Sequence, residues 1–214
     1  MTSPPAVPRT NVYVDGFNFY YGAMKNTPYK WCDIATLFNL LLPRNSINRI
    51  RYFTAAVHAR PSNPNVHVRQ QTYLRALQTI PNLSLHLGTF RQTIVNAPVV
   101  SPVGTSARYV NVYKTEEKGS DVNLASFLLT DSFNEDFEVA VVVSNDTDLI
   151  TPIEMVVRDM GRPVGLLNPH PKPARDLLKV ATFYKPIRPG VLAASQFPTT
   201  LTDSTGTFHK PANW

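Results

Sequence analysis

The stretch of sequence that decides the fold is Val139-Ala-Val-Val-Val-Ser-Asn-Asp-Thr-Asp148, an apolar run that ends in two aspartates. Because its apolar residues do not alternate with polar ones, the run predicts a strand covered on both faces, as in the centre of a parallel sheet. Ligands of open α/β sheets bind beyond the carboxyl ends of such strands. Asp146 and Asp148 are therefore expected at a functional edge of the sheet.

Two further segments bring aspartates toward the same edge. Near the start of the chain, the predicted strand Asn11-Val-Tyr-Val-Asp15 runs into Gly16-Phe-Asn18. Later, Lys118-Gly-Ser-Asp121 leads into a predicted helix whose inner face should carry Asp121. Carboxylates gathered at one edge repel each other, and a divalent cation with oxygen ligands relieves that repulsion. The pattern predicts one metal site formed by Asp15, Asp121, Asp146 and Asp148.

Predicted strands and helices alternate along the chain, which indicates a three-layer α/β/α sandwich with a mostly parallel central sheet. The strands are expected at residues 11–15, 49–57, 83–90, 138–143, 164–167 and 180–184, and the helices at 17–24, 33–42, 65–80, 121–131, 149–160 and 173–179. Residues 92–118 break the alternation and predict a small β insertion, read as a hairpin beside the carboxyl edge. The expected domain limits are a disordered N-terminus (1–8), the folded domain (9–187) and a loosely packed tail rich in Pro, Thr and Ser (188–214).

Charge is distributed unevenly along the sequence. The net charge is +6, yet no acidic residue occurs from Ile34 to Thr115, and most acids lie from Glu116 onward. A one-sided positive field suits a polyanion, and arginine suits phosphate in particular. This distribution predicts an RNA-facing surface, although a basic face that only contacts solvent is the competing interpretation. The residues expected to contact RNA are Arg51, Arg60, Arg69, Arg108, Lys118 and Ser144.

The composition also bears on the cellular compartment. The only cysteine is Cys32, which excludes an intrachain disulfide and fits a reducing compartment. The N-terminus lacks the apolar region of a secretory leader, and no segment reaches the ~18 apolar residues of a membrane span. We expect a cytoplasmic protein that does not bind membranes.

Three signatures carry a resemblance to a known family: Asp15-Gly-Phe-Asn18, Lys118-Gly-Ser-Asp121-Val and Ser144-Asn-Asp-Thr-Asp148-Leu. In this order, they resemble the motifs of NYN domains, which belong to the PIN-like nuclease superfamily. The resemblance implies hydrolysis of RNA with Mg²⁺ or Mn²⁺, and it departs from the family at Asn145, where glycine is common, and in the 92–118 insertion. The implied catalytic and metal-binding residues are Asp15, Asp121, Asp146 and Asp148, with Asn18 as a further catalytic residue.

The chemistry of phosphodiester cleavage agrees with this implication. Divalent ions held by carboxylates activate water and stabilise charge on the phosphate and the leaving oxygen. We expect Asp15 and Asp146 to bind the metal directly, and Asp121 and Asp148 to orient metal-bound water. The predicted function is that of a metal-dependent endoribonuclease acting on single-stranded or loop RNA. The alternatives are a non-catalytic RNA-binding or scaffolding module of the same fold and a structure-specific DNA nuclease, and a homodimer is left open.

Overall fold

The computed structural model of the protein describes residues 6–59, 63–100, 108–212 and 214. The strands are β1 (Arg9–Asp15), β2 (Ser46–Ala55), β3 (Leu83–Pro98), β4 (Tyr109–Lys118), β5 (Val139–Val143), β6 (Val164–Asn168), β7 (Phe183–Pro186), β8 (Thr200–Asp203) and β9 (Gly206–His209). The first seven form one sheet in the order β4-β3-β2-β1-β5-β6-β7, and β8 and β9 form a separate hairpin. Only β3 and β4 pair in antiparallel fashion within the large sheet, which confirms the predicted, mostly parallel α/β architecture.

The helices cover both faces of this sheet. They are α1 (Gly16–Phe19), which continues into a π-helical turn (Tyr20–Met24), α2 (Ile34–Leu41), α3 (Val66–Leu77), α4 (Ser120–Phe133), α5 (Ile150–Arg158), α6 (Arg175–Val180) and α7 (Pro189–Ala194). Successive side chains of β5 point to opposite faces, so Val141 and Val143 join one core while Ala140 and Val142 join the other. Both faces of β5 are therefore buried, as the unbroken apolar run predicts.

The centre of the sheet is a topological switch point. β1 pairs with β2 on one side and with β5 on the other, both in parallel, so the strand order reverses at β1. Asp15 ends β1, and Ser144 follows the last residue of β5. Because ligands of open α/β sheets bind at such reversals, this crevice is where a functional site is expected.

The 92–118 region forms the predicted hairpin, but as an extension of the sheet. β3 is a single strand that runs past residue 90, and it pairs with β4 from Thr89↔Lys118 to Pro98↔Tyr109. The two strands are joined by residues 99–108, of which 101–107 lie outside the described residues. Side chains on the hairpin such as Ile94 and Tyr113 are exposed. Since neither face of this ribbon is deeply buried, its sequence carries no strong hydrophobic alternation, and the continuity of β3 was not predictable from that signal.

The expectation of a loosely packed tail after residue 187 is wrong. Helix α7 and the β8–β9 hairpin form there, and Phe197 and Phe208 are buried against the core. The Trp31 indole donates a hydrogen bond of 2.8 Å to the Pro198 carbonyl. A few aromatic anchors therefore hold a segment whose composition is otherwise that of a linker. The domain limits themselves remain predictions, and residues 1–5 of the expected disordered N-terminus lie outside the described residues.

Within the described part of the chain, no helix combines the length and the apolar character that crossing a membrane requires.

Candidate metal centre

Asp15 is held in place by neutral hydrogen-bond donors. Its side chain lies at the carboxyl end of β1, and the residue is 5% exposed. The Asn18 backbone N–H donates to Asp15 Oδ1 at 2.9 Å, and the Ser144 hydroxyl donates to Oδ2 at 2.9 Å. Asp15 is thereby the N-cap of α1. Both of its oxygens are oriented by groups from two separate segments, which fixes the carboxylate at the sheet edge.

The loop after β5 is folded around the same point. The Asp146 N–H donates to the Ser144 hydroxyl at 3.1 Å, and the Asp148 N–H donates to Asp146 Oδ1 at 3.0 Å. The Asn18 side-chain oxygen accepts from the Asn145 N–H at 3.0 Å. These bonds tie the loop to α1, so the carboxylate of Asp146 lies beside that of Asp15.

The third carboxylate comes from the start of α4. Gly119 precedes the helix with a φ of 101°, a left-handed conformation that favours glycine, and Asp121 lies in the first turn. Carboxylate oxygens of Asp15, Asp121 and Asp146 all lie within 4.8 Å of one another. Three of the four predicted metal-binding aspartates are thus brought together from three chain segments.

The negative charge of this cluster is not neutralised by any cationic side chain among the described residues. None of the ion pairs among the described residues involves Asp15, Asp121 or Asp146. Burial raises the pKa of Asp15, against hydrogen bonds from Asn18 and Ser144 that lower it. Burial, followed by the charges of Asp15 and Asp146, raises the pKa of Asp121 to about 6. The ionised forms of Asp15 and Asp121 are therefore less favourable than those of ordinary aspartates, and a bound cation would favour them.

This donor set fits a hard divalent cation. Three carboxylate oxygens within reach of one point, with no cationic side chain paired to them, are the ligands that Mg²⁺ and Mn²⁺ prefer. The Ser144 and Asn18 contacts supply the second layer of hydrogen bonds that metal-binding carboxylates usually have. Asp15, Asp121 and Asp146 would hold the ion.

Asp148 lies beside this group rather than in it. It is absent from the cluster of close carboxylates, and its side chain is exposed. Its charge still contributes to the raised pKa of Asp121, so it borders the site.

Glu117, at the end of β4, was not predicted. Its carboxylate accepts bonds from the Ser120 N–H at 3.1 Å and the Ser120 hydroxyl at 2.7 Å, and its charge also raises the pKa of Asp121. The only sequence signal for it was its position just before the Lys118-Gly-Ser motif.

Asn145, the departure from the usual glycine, has a visible role in the loop. Its amide nitrogen donates to the Lys172 carbonyl at 3.2 Å, and its side-chain oxygen accepts from the Ala174 N–H at 2.7 Å. The residue therefore joins the loop after β5 to the segment before α6. A glycine could make neither contact.

Two of the residues expected to contact RNA are buried and engaged elsewhere. Ser144 is fully buried, and its hydroxyl supports Asp15 and Asp146. Arg51 is 9% exposed, and its guanidinium makes two bonds to Asp131, of 2.7 and 2.8 Å. Neither side chain is available at the surface, which corrects both predictions.

The remaining predicted RNA contacts differ in their surroundings. Lys118 is exposed and lies 3.5 Å from Glu116. Arg69 is half-buried, and Arg108 is exposed at the start of the hairpin segment. Arg60 lies outside the described residues.

Folding also cancels part of the charge asymmetry seen in the sequence. Basic residues of the acid-free stretch 34–115 form ion pairs with acidic residues from Glu116 onward. The pairs are Arg49–Asp136, Arg51–Asp131, Arg75–Asp203 and Lys114–Glu116. Among its basic residues, Arg44, Arg69, Arg91 and Arg108 have no such partner in the described chain. The basic surface is therefore narrower than the sequence indicates.

Comparison with known proteins adds three findings. The family model of the NYN domain matches residues 9–187. The chain is 31% identical to a protein named 6-hydroxy-3-succinoylpyridine 3-monooxygenase HspA from Pseudomonas putida (strain DSM 28022 / S16), over 96% of this chain and 75% of that protein. A crystal structure of a protein of unknown function from Vibrio parahaemolyticus RIMD 2210633 has the same fold. Its TM-score is 0.57 at 15% identity, and the match covers 88% of this chain and 98% of that one.

Proposed function

Because the chain belongs to the NYN family of the PIN-like nuclease superfamily, we propose that it is a metal-dependent ribonuclease. The observation that carries this proposal is the group of Asp15, Asp121 and Asp146, whose oxygens lie within 4.8 Å of one another without a cationic partner among the described residues. A nuclease-type fold with such a carboxylate group at its switch point is suited to Mg²⁺ or Mn²⁺.

Each residue of the site has a distinct task in this proposal. When bound, the divalent ion supplies a positive charge that activates water and stabilises charge on the phosphate. All three aspartates would hold the ion, Asp15 and Asp146 by direct contact and Asp121 through a water that it orients. Ser144 and the Asn18 backbone keep Asp15 in one orientation. Asp148, which borders the group, contributes to the local negative field.

The proposed substrate is single-stranded or loop RNA, and we infer that the β3–β4 hairpin carries part of its binding surface. Arg91 and Arg108 lie on or beside that hairpin, are exposed, and lack carboxylate partners among the described residues. The hairpin begins where Thr89 pairs with Lys118, three residues before Asp121. Phosphates bound along it would therefore lead toward the aspartate cluster.

The test is cleavage of a labelled single-stranded RNA by purified protein with Mn²⁺, with Mg²⁺ and with excess EDTA. We expect cleavage only with metal, and a loss of about 100-fold or more in Asp146→Asn, because even supporting residues of metal sites change activity by 10–100-fold. The matched control is Asp159→Asn, at the far end of α5 and exposed, which should cleave normally. Cleavage that persists in EDTA or in Asp146→Asn would contradict the proposal.

The same assay separates the ribonuclease from the two alternatives. Cleavage of a DNA of equal sequence, with RNA left intact, would identify a DNA nuclease. RNA binding without cleavage under any metal would identify a non-catalytic module of this fold.

A second candidate function follows the named relative rather than the family. The Pseudomonas putida protein is named as a monooxygenase of a hydroxylated pyridine, and its likeness extends over 96% of this chain. The observation that favours this candidate is a cavity with aromatic walls that begins at Gly16, next to Asp15. We propose oxygenation of a small pyridine-type ring as this second candidate.

Oxygen consumption tests the second candidate. The protein would be mixed with 6-hydroxy-3-succinoylpyridine, a two-electron reductant and a divalent metal, and oxygen uptake would be measured against the Asp146→Asn variant. Uptake that depends on the pyridine, with no cleavage of RNA, would favour the oxygenase. If the pyridine does not raise the rate of oxygen uptake, the oxygenase candidate is excluded.

A further inference from the structure

A cavity of about 100 Å³ lies beside the metal centre, between α1 and α3. A single water needs roughly 10–15 Å³ of such space, so the cavity has room for a group of several heavy atoms. Gly16, the residue that follows Asp15, forms part of the cavity wall. A side chain at Gly16 would meet Tyr52, because an added Cβ would lie 2.6 Å from the Tyr52 ring. Glycine at this position therefore lets the tyrosine ring lie against the start of α1.

The walls of the cavity are mainly aromatic. Its lining includes the rings of Tyr20, Tyr21, Tyr52, Tyr73 and Trp214. Tyr20 and Tyr21 pack edge to face, with ring centroids 5.4 Å apart, and Tyr73 and Trp214 have centroids 5.3 Å apart. Aromatic walls of this kind favour planar rings, which stack on or pack edge to face against them.

The Tyr52 hydroxyl is a polar group of the cavity that is not used by a bond to another described residue. Tyr52 is 3% exposed, yet its hydroxyl makes no hydrogen bond to any of the described residues. The other buried tyrosines differ, because Tyr13 donates to Asp131 at 2.7 Å and Tyr73 donates to the Cys32 carbonyl at 2.9 Å. The Tyr52 hydroxyl is therefore available to hydrogen-bond with a polar atom of a ligand in the cavity.

The cavity also contains a positive charge that no described carboxylate neutralises. Arg69 lines it, is half-buried, and bonds to the side-chain oxygen of Asn63. No carboxylate pairs with this arginine in the described part of the chain. The neighbouring Gln70 differs, since its amide bonds to the Ala55 carbonyl and the Val57 N–H. Arg69 is thus free to bind an anionic group, and arginine binds carboxylates and phosphates well.

We propose that this cavity is a binding site for a planar aromatic ring that carries a negatively charged substituent. The ring lies among the tyrosines and Trp214, the Tyr52 hydroxyl bonds to a polar ring atom, and Arg69 binds the anionic group. Two sources share this chemistry: a nucleotide unit of RNA and a free aromatic acid. The proposal goes beyond the proposed function, because a ring would bind here whether or not the aspartates cleave RNA.

Calorimetric titration in EDTA tests the proposal without metal or catalysis. The probes are adenosine and uridine 5′-monophosphates for the nucleotide source, and 6-hydroxynicotinate for the aromatic acid. We expect saturable binding of at least one probe at a single site. Arg69→Gln should weaken it by about tenfold or more, and Tyr52→Phe by roughly 3- to 10-fold, as the loss of a charged and a neutral hydrogen bond predicts. The control Arg44→Gln, at an exposed residue outside the cavity, should bind as the unaltered protein does.

The outcomes distinguish a nucleotide ligand from an aromatic acid, and they show whether the proposed binding site exists. Binding of the nucleotides assigns the site to RNA, and binding of 6-hydroxynicotinate alone assigns it to a small aromatic acid. If no probe saturates, or if binding is the same in Arg69→Gln and Tyr52→Phe as in the unaltered protein, the site does not exist. Because the titration contains no metal, loss of RNA cleavage in the earlier assay leaves this result unaffected. Thermal unfolding shows whether both variants are folded. Because Arg69 is half-exposed and Tyr52 is buried, Arg69→Gln is less expected to disturb folding than Tyr52→Phe.

Discussion

Asp15 and Asp131 are buried to the same extent, each 5% exposed, but their surroundings are opposite. Asp131 receives two bonds from Arg51 and one of 2.7 Å from the Tyr13 hydroxyl. Asp15 receives bonds from the Asn18 N–H and the Ser144 hydroxyl, which are neutral donors, and it lies close to two more carboxylates. Asp131 is neutralised by an arginine of the chain, whereas no described cationic residue pairs with Asp15.

This difference separates a structural charge from a functional one. A buried carboxylate without a cation is unfavourable, so its charge must be compensated or suppressed. Helix α4 carries one residue of each kind, with Asp121 in its first turn and Asp131 near its end. The described chain provides an arginine for Asp131 and none for the cluster of Asp15, Asp121 and Asp146. The compensating charge at the cluster is therefore expected from outside the chain.

The largest effect on stability is expected at Asp131, whose charge is compensated by Arg51 of the same chain. Asp131→Asn would leave Arg51 buried without its anion, and breaking such a pair typically costs about 3–5 kcal/mol of unfolding free energy. Urea unfolding with EDTA present measures this loss. The unfolding free energy of Asp131→Asn is then compared with that of Asp146→Asn. The latter substitution relieves repulsion between carboxylates and should leave stability unchanged or raised. Equal destabilisation by both variants would erase the distinction between the two kinds of carboxylate.

The protonation of Asp121 gives an intermediate effect. Its pKa is raised to about 6 in the folded protein, from an ordinary value of 3.8, so the folded state binds more protons than the unfolded state between these values. The free energy of unfolding of the metal-free protein should therefore fall as pH rises from about 4 to about 6, and this contribution should level off above that range. Asp121→Asn should lack this part of the pH dependence. An identical pH profile for the variant would show that Asp121 ionises normally.

The smallest effect concerns the unpaired arginines of the hairpin. Reversing Arg91 and Arg108 to Glu should weaken binding of single-stranded RNA several-fold and reduce its salt dependence by roughly 0.7 in logarithmic slope for each phosphate that is no longer neutralised. Filter binding at several salt concentrations measures both quantities. The control is Arg158→Glu, on α5, where Glu154 already pairs with the arginine. RNA affinity that is unaffected by the double reversal would show that the hairpin is not part of the binding surface.

The parts of the fold predicted correctly from sequence are those set by local pattern. The unbroken Val139–Val143 run indicated a central strand, and the turns after β1 and β5 placed Asp15 and Asp146 at one edge. The third close carboxylate, Asp121, followed from its place at the start of a helix. These features depend on neighbours in sequence, which is why periodicity and strand ends were sufficient.

The features that were missed depend on partners far apart in sequence. Arg51 and Asp131 are 80 residues apart, so a run of arginines free of acids looked like an open basic surface. The segment after residue 187 looked like a linker because its packing depends on a few contacts, such as Trp31 with Phe197, at 5.8 Å between ring centroids. The aromatic cavity also combines residues from α1, β2, α3 and the C-terminal Trp214, which no local pattern connects.

The most direct test of the contrast between the two buried carboxylates is a calorimetric titration of the metal-free protein with Mn²⁺ at pH 6, where Asp121 is about half protonated. We expect saturable binding accompanied by proton release, because the cation favours ionised carboxylates over the protonated forms that burial promotes. Asp146→Asn should lose this binding, and the control Asp159→Asn should keep it. Absence of Mn²⁺ binding by the unaltered protein, or equal binding by Asp146→Asn, would contradict the assignment of the aspartate cluster as a metal centre.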